Sequence, residues 1–275
     1  MKKRLTPGGV LLTFATVVLA VTFLVPVLWS LAVSLHHEGQ TMSNVFDWFL
    51  PPYTLENYPT VLLRSGVWVW FVNSLIIAIV STALTLLVTP MAAYAVARIK
   101  FKGATFFYIF MILGLMVPGE ATITSLFVTA NWMHLINTYA GLILPGIAAS
   151  MNFIIITAFI KQLPNELTEA ATVDGAGHWR IYWSLVLPLS KTILLTVGIL
   201  TFTGSWNNYL WPLLATMTAD MFTLPIGIPT FASTYTVDYV LPMTANMVAS
   251  LPMIVLFVIF QRYIVKGVSL TGIKG

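Results

Sequence analysis

Long stretches of this sequence carry no charged residue, and that feature limits what the chain can fold into. The charge-free stretches are 5–35, 65–97, 103–119, 121–160, 192–219 and 239–261. A helix needs about 20 apolar residues to cross the hydrocarbon core of a bilayer. Charged residues are 8% of the chain and hydrophobic residues 58%, so there are too few charges to cover the surface of a soluble globule. The sequence therefore predicts an all-α membrane protein.

Six transmembrane helices account for these stretches. We predict them near residues 10–35, 67–97, 104–128, 139–160, 191–214 and 243–264. Basic residues favour the cytoplasmic side of a membrane protein. With cytoplasmic N- and C-termini, 12 of the 13 Lys and Arg residues fall on that side and only Arg64 lies outside. The first apolar stretch is about 25 residues long, which exceeds the 7–15 residues of the apolar h-region of a signal peptide, so we expect it to remain as a span.

The chain is predicted to form a single transmembrane permease domain over residues 1–275. Its longer connections are outer segments 36–66 and 215–242, a cytoplasmic loop 161–191 and a cytoplasmic tail 262–275. There is no cysteine, which excludes disulfides and thiolate metal sites. The sequence His36-His37-Glu38 has no further spaced ligand and is a weak metal candidate. We predict no catalytic, cofactor or metal site.

The cytoplasmic loop 161–191 is much longer than a turn between two spans requires. Its sequence predicts two short helices. Asn165 is the expected N-cap of the first, and Gly175 supplies the left-handed residue that ends it. The second is expected from His178 to Leu187, where Pro188 breaks it. Alanines beside a glycine turn leave a low surface for another protein, but a plain longer loop is equally compatible with these residues.

Two further groups are candidates for a solute pathway. Glu120 is the only acidic residue well inside a predicted span, and the preceding Pro118-Gly119 favours a helix break. An ionisable group at membrane depth is a functional candidate; a place near the outer interface, or a structural role at the break, is the alternative. The second group pairs aromatic faces with amides, which suits sugar binding and also suits helix packing. Its members are Trp206, Asn207, Asn208, Tyr209 and Trp211.

The loop also carries a family signature. Glu169-Ala170-Ala171, three residues, Gly175, nine residues, then Leu185, Val186 and Leu187-Pro188 resembles the EAA signature of ABC-importer permeases. Only Leu185 departs from the signature, which has Ile there. Segments 91–103, 206–213 and 261–275 also resemble these permeases. The chain is similar to the second, six-span subunit of binding-protein-dependent sugar importers of the maltose type, which implies a type I ABC-importer permease architecture.

The resemblance implies roles for particular residues. An ATPase subunit is expected to dock on Glu169, Ala170, Ala171, Asp174, Gly175, Ala176, Leu187 and Pro188. The tail is expected to reach the same ATPase through Gln261, Arg262 and Lys266, with contact to anionic lipid as the alternative for its two cations. This chain has no phosphate-binding loop of the Gly-x-x-x-x-Gly-Lys-Ser/Thr type. It is therefore expected to be a transport subunit rather than an enzyme, with ATP and Mg bound by the ATPase.

The implied partners are a second permease subunit, an ATPase dimer, membrane lipid and an extracytoplasmic solute-binding protein. Outer segment 215–242 is expected to touch the binding protein, with a plain connector as the alternative. The location is the bacterial or archaeal inner cell membrane, as a multi-pass protein, with no nucleic-acid partner. A glycerol-phosphate importer remains an alternative. An ion-coupled secondary transporter needs more ionisable groups inside the membrane than Glu120, and an intramembrane enzyme needs catalytic pairs that are not visible.

Overall fold

The computed structural model describes residues 7–40, 44–64, 66–231 and 239–271. All regular structure within these ranges is helical. The α-helices are α1 (Pro7–Ser34), α2 (Asn57–Arg64), α3 (Val67–Arg98), α4 (Ala104–Leu113), α5 (Gly119–Trp132), α6 (Tyr139–Ile147), α7 (Ser150–Gln162), α8 (Asn165–Val173), α9 (His178–Ile181), α10 (Leu187–Leu189), α11 (Lys191–Trp206), α12 (Leu210–Ala215), α13 (Leu224–Gly227) and α14 (Val240–Thr271). A π-helical turn, Tyr182–Val186, joins α9 to α10, and 3-10 turns cover Val45–Phe49, Ala219–Met221 and Ile228–Phe231.

The chain packs as two compact units. One comprises residues 1–68 with 227–251, and the other comprises residues 69–226 with 252–275. In the first unit, the Asn57 side-chain amide donates to the carbonyl oxygens of Ser34 (2.9 Å) and His36 (2.6 Å). The buried ring of His36 lies 2.8 Å from the Trp48 carbonyl oxygen. His36 therefore serves packing of the segment after α1, and no described group of three His, Cys, Asp or Glu residues could hold a metal ion.

Three predicted spans are single long helices. Helices α1, α3 and α14 are each apolar and long enough to cross a membrane, in agreement with predicted spans 10–35, 67–97 and 243–264. Two bent pairs pass the same test: α6 with α7 (42°), and the helical run His178–Leu189 with α11 (76°). Three to five spans are thus supported by length and composition, and the count of six stays a prediction.

The third predicted span, 104–128, is interrupted, as the predicted break at Pro118-Gly119 requires. It consists of α4 and α5, separated by residues 114–118. Pro118 has extended backbone angles (φ −59°, ψ 134°) and α5 begins at the next residue. Proline lacks the N–H that a helix interior needs, so the break predicted at Pro118-Gly119 is confirmed. The fifth predicted span, 191–214, is likewise interrupted, because α11 ends at Trp206 and α12 begins at Leu210.

Connections at one end of the second unit are held together by polar contacts. The Asn73 amide donates to the Asp220 (2.7 Å) and Phe222 (2.8 Å) carbonyl oxygens. The Tyr139 hydroxyl donates to Asn73 Oδ1 (2.5 Å), and the Asn137 backbone N–H donates to the Ala215 carbonyl (2.7 Å). All these residues lie in or beside predicted outer connections. Contacts among these predicted outer connections agree with spans that run in alternating directions. Which end faces the cytoplasm stays a prediction.

Candidate functional site

Helix α8 is an exposed surface helix at the other end of the second unit. None of its residues is buried. Glu169 and Ala170 are exposed, and Val173 is 87% exposed. A helix this short gains little stability from its own backbone bonds in water, so contacts elsewhere must hold it. The exposed face is therefore free for a partner.

Two alanines attach this surface element to the core. Ala171 and Ala176 pack against a cluster that includes the buried side chains of Ile156 and Phe153. Leu187 packs on the same cluster from the following helical run. Because an alanine side chain is a single methyl group, the helix lies close to the core at these points. The neighbouring acidic side chains, Glu169 and Asp174, are exposed on the surface.

The turn after α8 depends on the backbone of Gly175. Its φ is +79°, in the left-handed region that side chains with a Cβ disfavour. This confirms the predicted helix end. The Asp174, Gly175 and Ala176 N–H groups donate to carbonyl oxygens of the last turn of α8 at 3.0, 3.0 and 2.9 Å. The turn therefore satisfies carbonyl groups that a helix end would leave unpaired.

Two details of the predicted loop are wrong. Asn165 is not the N-cap: the cap is Pro164, which gives no side-chain hydrogen bond, and Asn165 is the first helical residue. Its side chain bonds a distant arginine instead. Pro188 does not break the second helix but lies inside α10, since the preceding π-helical turn already interrupts the i to i−4 pattern that proline would block. The bend follows at Ser190.

The arginine bound to Asn165 is Arg98, the last residue of α3. Its Nη1 donates to Asn165 Oδ1. Its Nη2 donates to the carbonyl oxygens of Ile160 (2.6 Å) and Leu163, at the C-terminal end of α7. This link is not visible in the sequence, because a basic residue at a span end is expected from topology alone.

A groove of about 1270 Å³ lies between the end of α3 and α8. Its lining includes Arg98, Lys100, Lys102 and Glu169. The Tyr94 hydroxyl and His178 Nδ1 lie 3.5 Å apart at the same groove. Three of the predicted cytoplasmic cations thus meet the predicted coupling loop, as expected if both lie on one side of the membrane.

Aromatic side chains form the start of the second helical run. Trp179 is 61% exposed, whereas Tyr182 is buried. Their rings are 6.1 Å apart, and Trp183 meets Tyr182 edge-on at 5.3 Å. Burial raises the pKa of the Tyr182 hydroxyl above its usual range. The cluster gives the loop a rigid base beside its exposed helix.

Glu120 lies in the first turn of α5 and is exposed. A carboxylate is favoured there by the positive end of the helix dipole. The residue follows the break at Pro118, so both a local structural role and a role in a pathway remain consistent with its position. Its involvement in a pathway stays a prediction.

The aromatic and amide residues of the fifth span divide into two groups. Trp206 is buried, stacks on Phe202 at 5.9 Å and meets Phe71 edge-on. Trp211 is also buried, and its indole N–H donates to the Gly141 carbonyl oxygen at 2.9 Å. These contacts are those of packing residues. The exposed or half-buried members occupy the interruption between α11 and α12: Asn207, Asn208 and Tyr209.

The tail residue Gln261 is exposed in α14, and its amide donates to the Val258 carbonyl oxygen at 3.2 Å. The side chains of Arg262 and Lys266 lie outside the described part of the chain, as do residues 232–238 of outer segment 215–242. Contacts of the tail and of this outer segment with partners stay predictions.

The regular structure of the described residues is helical, and an exposed helix and turn that carry the EAA sequence are typical of one class, the membrane subunits of ABC importers. The comparison with known families agrees. A family described as binding-protein-dependent transport system inner membrane component matches residues 89–270, and this chain belongs to that family. It is therefore a membrane transport component rather than an enzyme.

Relatives match over nearly the whole chain. The arabinooligosaccharides transport system permease protein AraQ of Halalkalibacterium halodurans is 35% identical, with 100% of both chains covered. The trehalose/maltose transport system permease protein MalG of Thermococcus litoralis is 31% identical over 97% of each chain. A chain of a bacterial ABC transporter that imports the acidic polysaccharide alginate shares the fold, with a TM-score of 0.81 at 19% identity over 93% of this chain and 95% of that one. The predicted fold class is confirmed.

Proposed function

We propose that this chain is one of two permease subunits of an ATP-driven carbohydrate importer, and that loop 161–191 docks a separate ATPase subunit. The observation that carries the proposal is α8: an exposed helix with no buried residue, attached to the core along its alanine edge and by the Arg98–Asn165 bond, and closed by a left-handed glycine. A helix with so few contacts inside its own chain leaves most of its surface available to a partner subunit.

The residues of the EAA sequence and of the turn after α8 have different parts in that docking. Ala171 and Ala176 set the distance between the helix and the core. Ala170 lets the ATPase surface approach closely, and Glu169 and Asp174 offer exposed carboxylates to basic groups of the ATPase. Gly175 fixes the direction of the chain after the helix.

Nucleotide enters the mechanism through the partner. ATP and Mg are bound by the ATPase dimer, and ATP binding favours one of two global states of the assembly. A ligand shifts such an equilibrium only through its different affinity for the two states. The docked α8 is the part of this chain that moves with the ATPase, and the membrane helices follow it to open the pathway on the other side.

The solute is proposed to be a neutral or mildly polar carbohydrate. The named substrates of the relatives are arabinooligosaccharides, trehalose and maltose, and diacetylchitobiose. Asn207, Asn208 and Tyr209 are not buried and interrupt two helices, so they offer amides and an aromatic face to sugar hydroxyls and rings. Glu120 lies at a second interruption. A glycerol-phosphate solute is the alternative, and only Arg64 gives the predicted outer side a positive charge.

The remaining partners follow the same proposal. A second permease subunit completes the pathway, and an extracytoplasmic solute-binding protein meets outer segment 215–242. The tail residues Gln261, Arg262 and Lys266 reach toward the ATPase. The assembly resides in the inner cell membrane, where the exposed apolar side chains of α1 face lipid or the partner permease.

The test is reconstitution of the chain with its cognate permease, ATPase and binding protein in proteoliposomes. We expect ATP-dependent uptake of radiolabelled maltose-type or arabinose-type oligosaccharides, with vanadate-sensitive hydrolysis that rises when the loaded binding protein is added. Uptake driven by a proton or sodium gradient without any ATPase contradicts the proposal. Uptake of glycerol phosphate in place of sugars overturns the carbohydrate class and leaves the ATPase coupling intact.

A charge reversal tests the docking surface itself. Glu169→Lys places a cation where the ATPase meets a carboxylate, and we expect pull-down of the ATPase in detergent to fall about tenfold, a typical effect for an interface charge. The control is Asp220→Lys, an identical change in charge at an exposed acid of the other end of the same unit. Equal pull-down by both variants and the unchanged chain contradicts docking at α8.

A further inference from the structure

Arg98 joins three parts of the chain that are far apart in sequence. It is the last residue of the long helix α3, and its guanidinium group donates to Ile160 and Leu163 at the end of α7. The same group donates to Asn165, 67 residues away and the first residue of α8. The end of one membrane helix is thus bonded both to the end of another and to the start of the surface helix.

The chemistry of these bonds makes the link strong. Two of the acceptors are carbonyl oxygens at the C-terminal end of α7, where the helix dipole leaves partial negative charge. The Ile160 carbonyl oxygen also accepts the Leu163 backbone N–H at 3.2 Å. A charged donor forms stronger hydrogen bonds than a neutral one. The guanidinium group is planar, with donors on separate nitrogens, so one side chain serves all three acceptors in a fixed geometry.

Helix α8 has few other attachments. It has no buried residue, and within the described chain its apolar attachment to the core is made by Ala171 and, after the turn, by Ala176. Apolar contacts of methyl groups permit sliding, because dispersion has little directional preference. The bond from Arg98 to Asn165 is directional and lies at the opposite end of α8 from the glycine turn. It therefore fixes the position of the helix start relative to α3.

We propose that Arg98 is a positioning residue that transmits movement of α8 to the membrane helix α3, so that nucleotide-driven motion reaches the pathway. This inference rests on the proposed function. Arg98 touches neither nucleotide nor solute. Arg98 converts displacement of the docked surface helix into displacement of the ends of α3 and α7. Without Arg98, α8 moves and α3 does not follow.

The test compares sugar moved per ATP hydrolysed by the complete complex in proteoliposomes. Arg98→Gln removes all three charged bonds, and we expect this ratio to fall about tenfold, within the range that a lost coupling interaction gives. Asn165→Ala removes only the bond to α8 and keeps the carbonyl bonds of Arg98, with an expected fall of about threefold. The double variant is expected to match Arg98→Gln alone, because Asn165 acts through Arg98. The control is Lys102→Gln, which removes an exposed cation of the same segment.

A purely structural role for Arg98 gives a different pattern. It predicts loss of assembled complex in Arg98→Gln with a normal sugar-to-ATP ratio in the complex that remains, and a normal ratio for Asn165→Ala. Either result overturns the proposal, and so does an additive double variant. If Arg98→Gln does not assemble, the ratio measured for Asn165→Ala decides. The unchanged chain shows separately whether the proposed function holds, because it must show binding-protein-stimulated hydrolysis and uptake before any variant is compared.

Discussion

The turn at Gly175 gives the sharpest test of how the docking element is built. Gly175 and Gly177 lie two residues apart, and a Cβ added at either one meets no atom within 4 Å. They differ in backbone conformation. Gly175 has φ +79°, whereas Gly177 is extended with φ −72° and ψ 163°. Because an added methyl group clashes at neither position, a difference between the two alanine variants reports the backbone strain at position 175.

The expected free-energy changes differ in size. Alanine at position 175 must occupy the left-handed region, which costs about 1–2 kcal/mol for a residue with a Cβ. Alanine at position 177 keeps its conformation, and restricting the unfolded chain stabilises by about 0.4–1 kcal/mol. Gly177 is also the N-cap of α9, where alanine is less favourable than glycine, so the net change is expected to be near zero. A change of 1–2 kcal/mol alters an equilibrium by a factor of about 5–30. Asn at position 175 is expected to cost less than Ala, because Asn tolerates this region.

Hydrogen exchange in the assembled complex measures the effect locally. The Gly175 and Ala176 N–H groups bond the Thr172 and Ala171 carbonyl oxygens, so opening of the turn exposes them to exchange. Gly175→Ala is expected to speed exchange in the peptide covering 172–177 by about 5–30-fold and to lower uptake. Gly177→Ala is expected to leave both unchanged or slightly improved. Equal damage from the two variants refutes the reasoning, because backbone conformation would then not be the cause. Gly175→Val, with a β-branched side chain, is expected to uncouple transport while membrane insertion stays normal.

Two further predictions concern packing and topology. Trp211→Phe removes the indole donor to the Gly141 carbonyl and is expected to lower stability by about 1 kcal/mol. The measurement is a lower Tm with an unchanged apparent affinity for sugar. A raised KM without a change in Tm would instead make Trp211 a solute contact. The chain lacks cysteine, so single cysteines report topology when the chain is expressed without its ATPase. Val173→Cys, at an 87% exposed position, is expected to react with a membrane-impermeant maleimide in inside-out vesicles only. Met217→Cys, 60% exposed, is expected to react in spheroplasts only. Reversed labelling would contradict the predicted orientation.

The sequence predicted the long helices well, because a charge-free apolar stretch flanked by cations has few alternatives in a membrane. The break at Pro118 was also predictable from proline chemistry. The interruption after Trp206 was not, since residues 207–209 include neither proline nor glycine. Asn207 ends α11 there, and its side-chain amide donates back to the Thr203 carbonyl oxygen at 3.1 Å. Asparagine competes with the helix backbone in this way only when its surroundings permit.

The candidate site was predicted unevenly for the same reason. The left-handed Gly175 follows from local sequence, because the conformation of a helix end is set by adjacent residues. The bond between Arg98 and Asn165 spans 67 residues and depends on how α3 packs on α7. Asn165 therefore looked like an N-cap, a local role typical of its residue type. Long-range partners of this kind require the packed structure.

The 76° bend between His178–Leu189 and α11 has a mechanical consequence. The run of residues 178–189 is about 18 Å long at 1.5 Å per residue and projects sideways from the end of α11. A tilt of α11 by about 10° in the plane of the bend swings the far end of that run, next to the glycine turn, through about 3 Å for a rigid arm of that length. Because of the bend, a small tilt of α11 is coupled to a displacement of several ångströms at the surface end of the run 178–189.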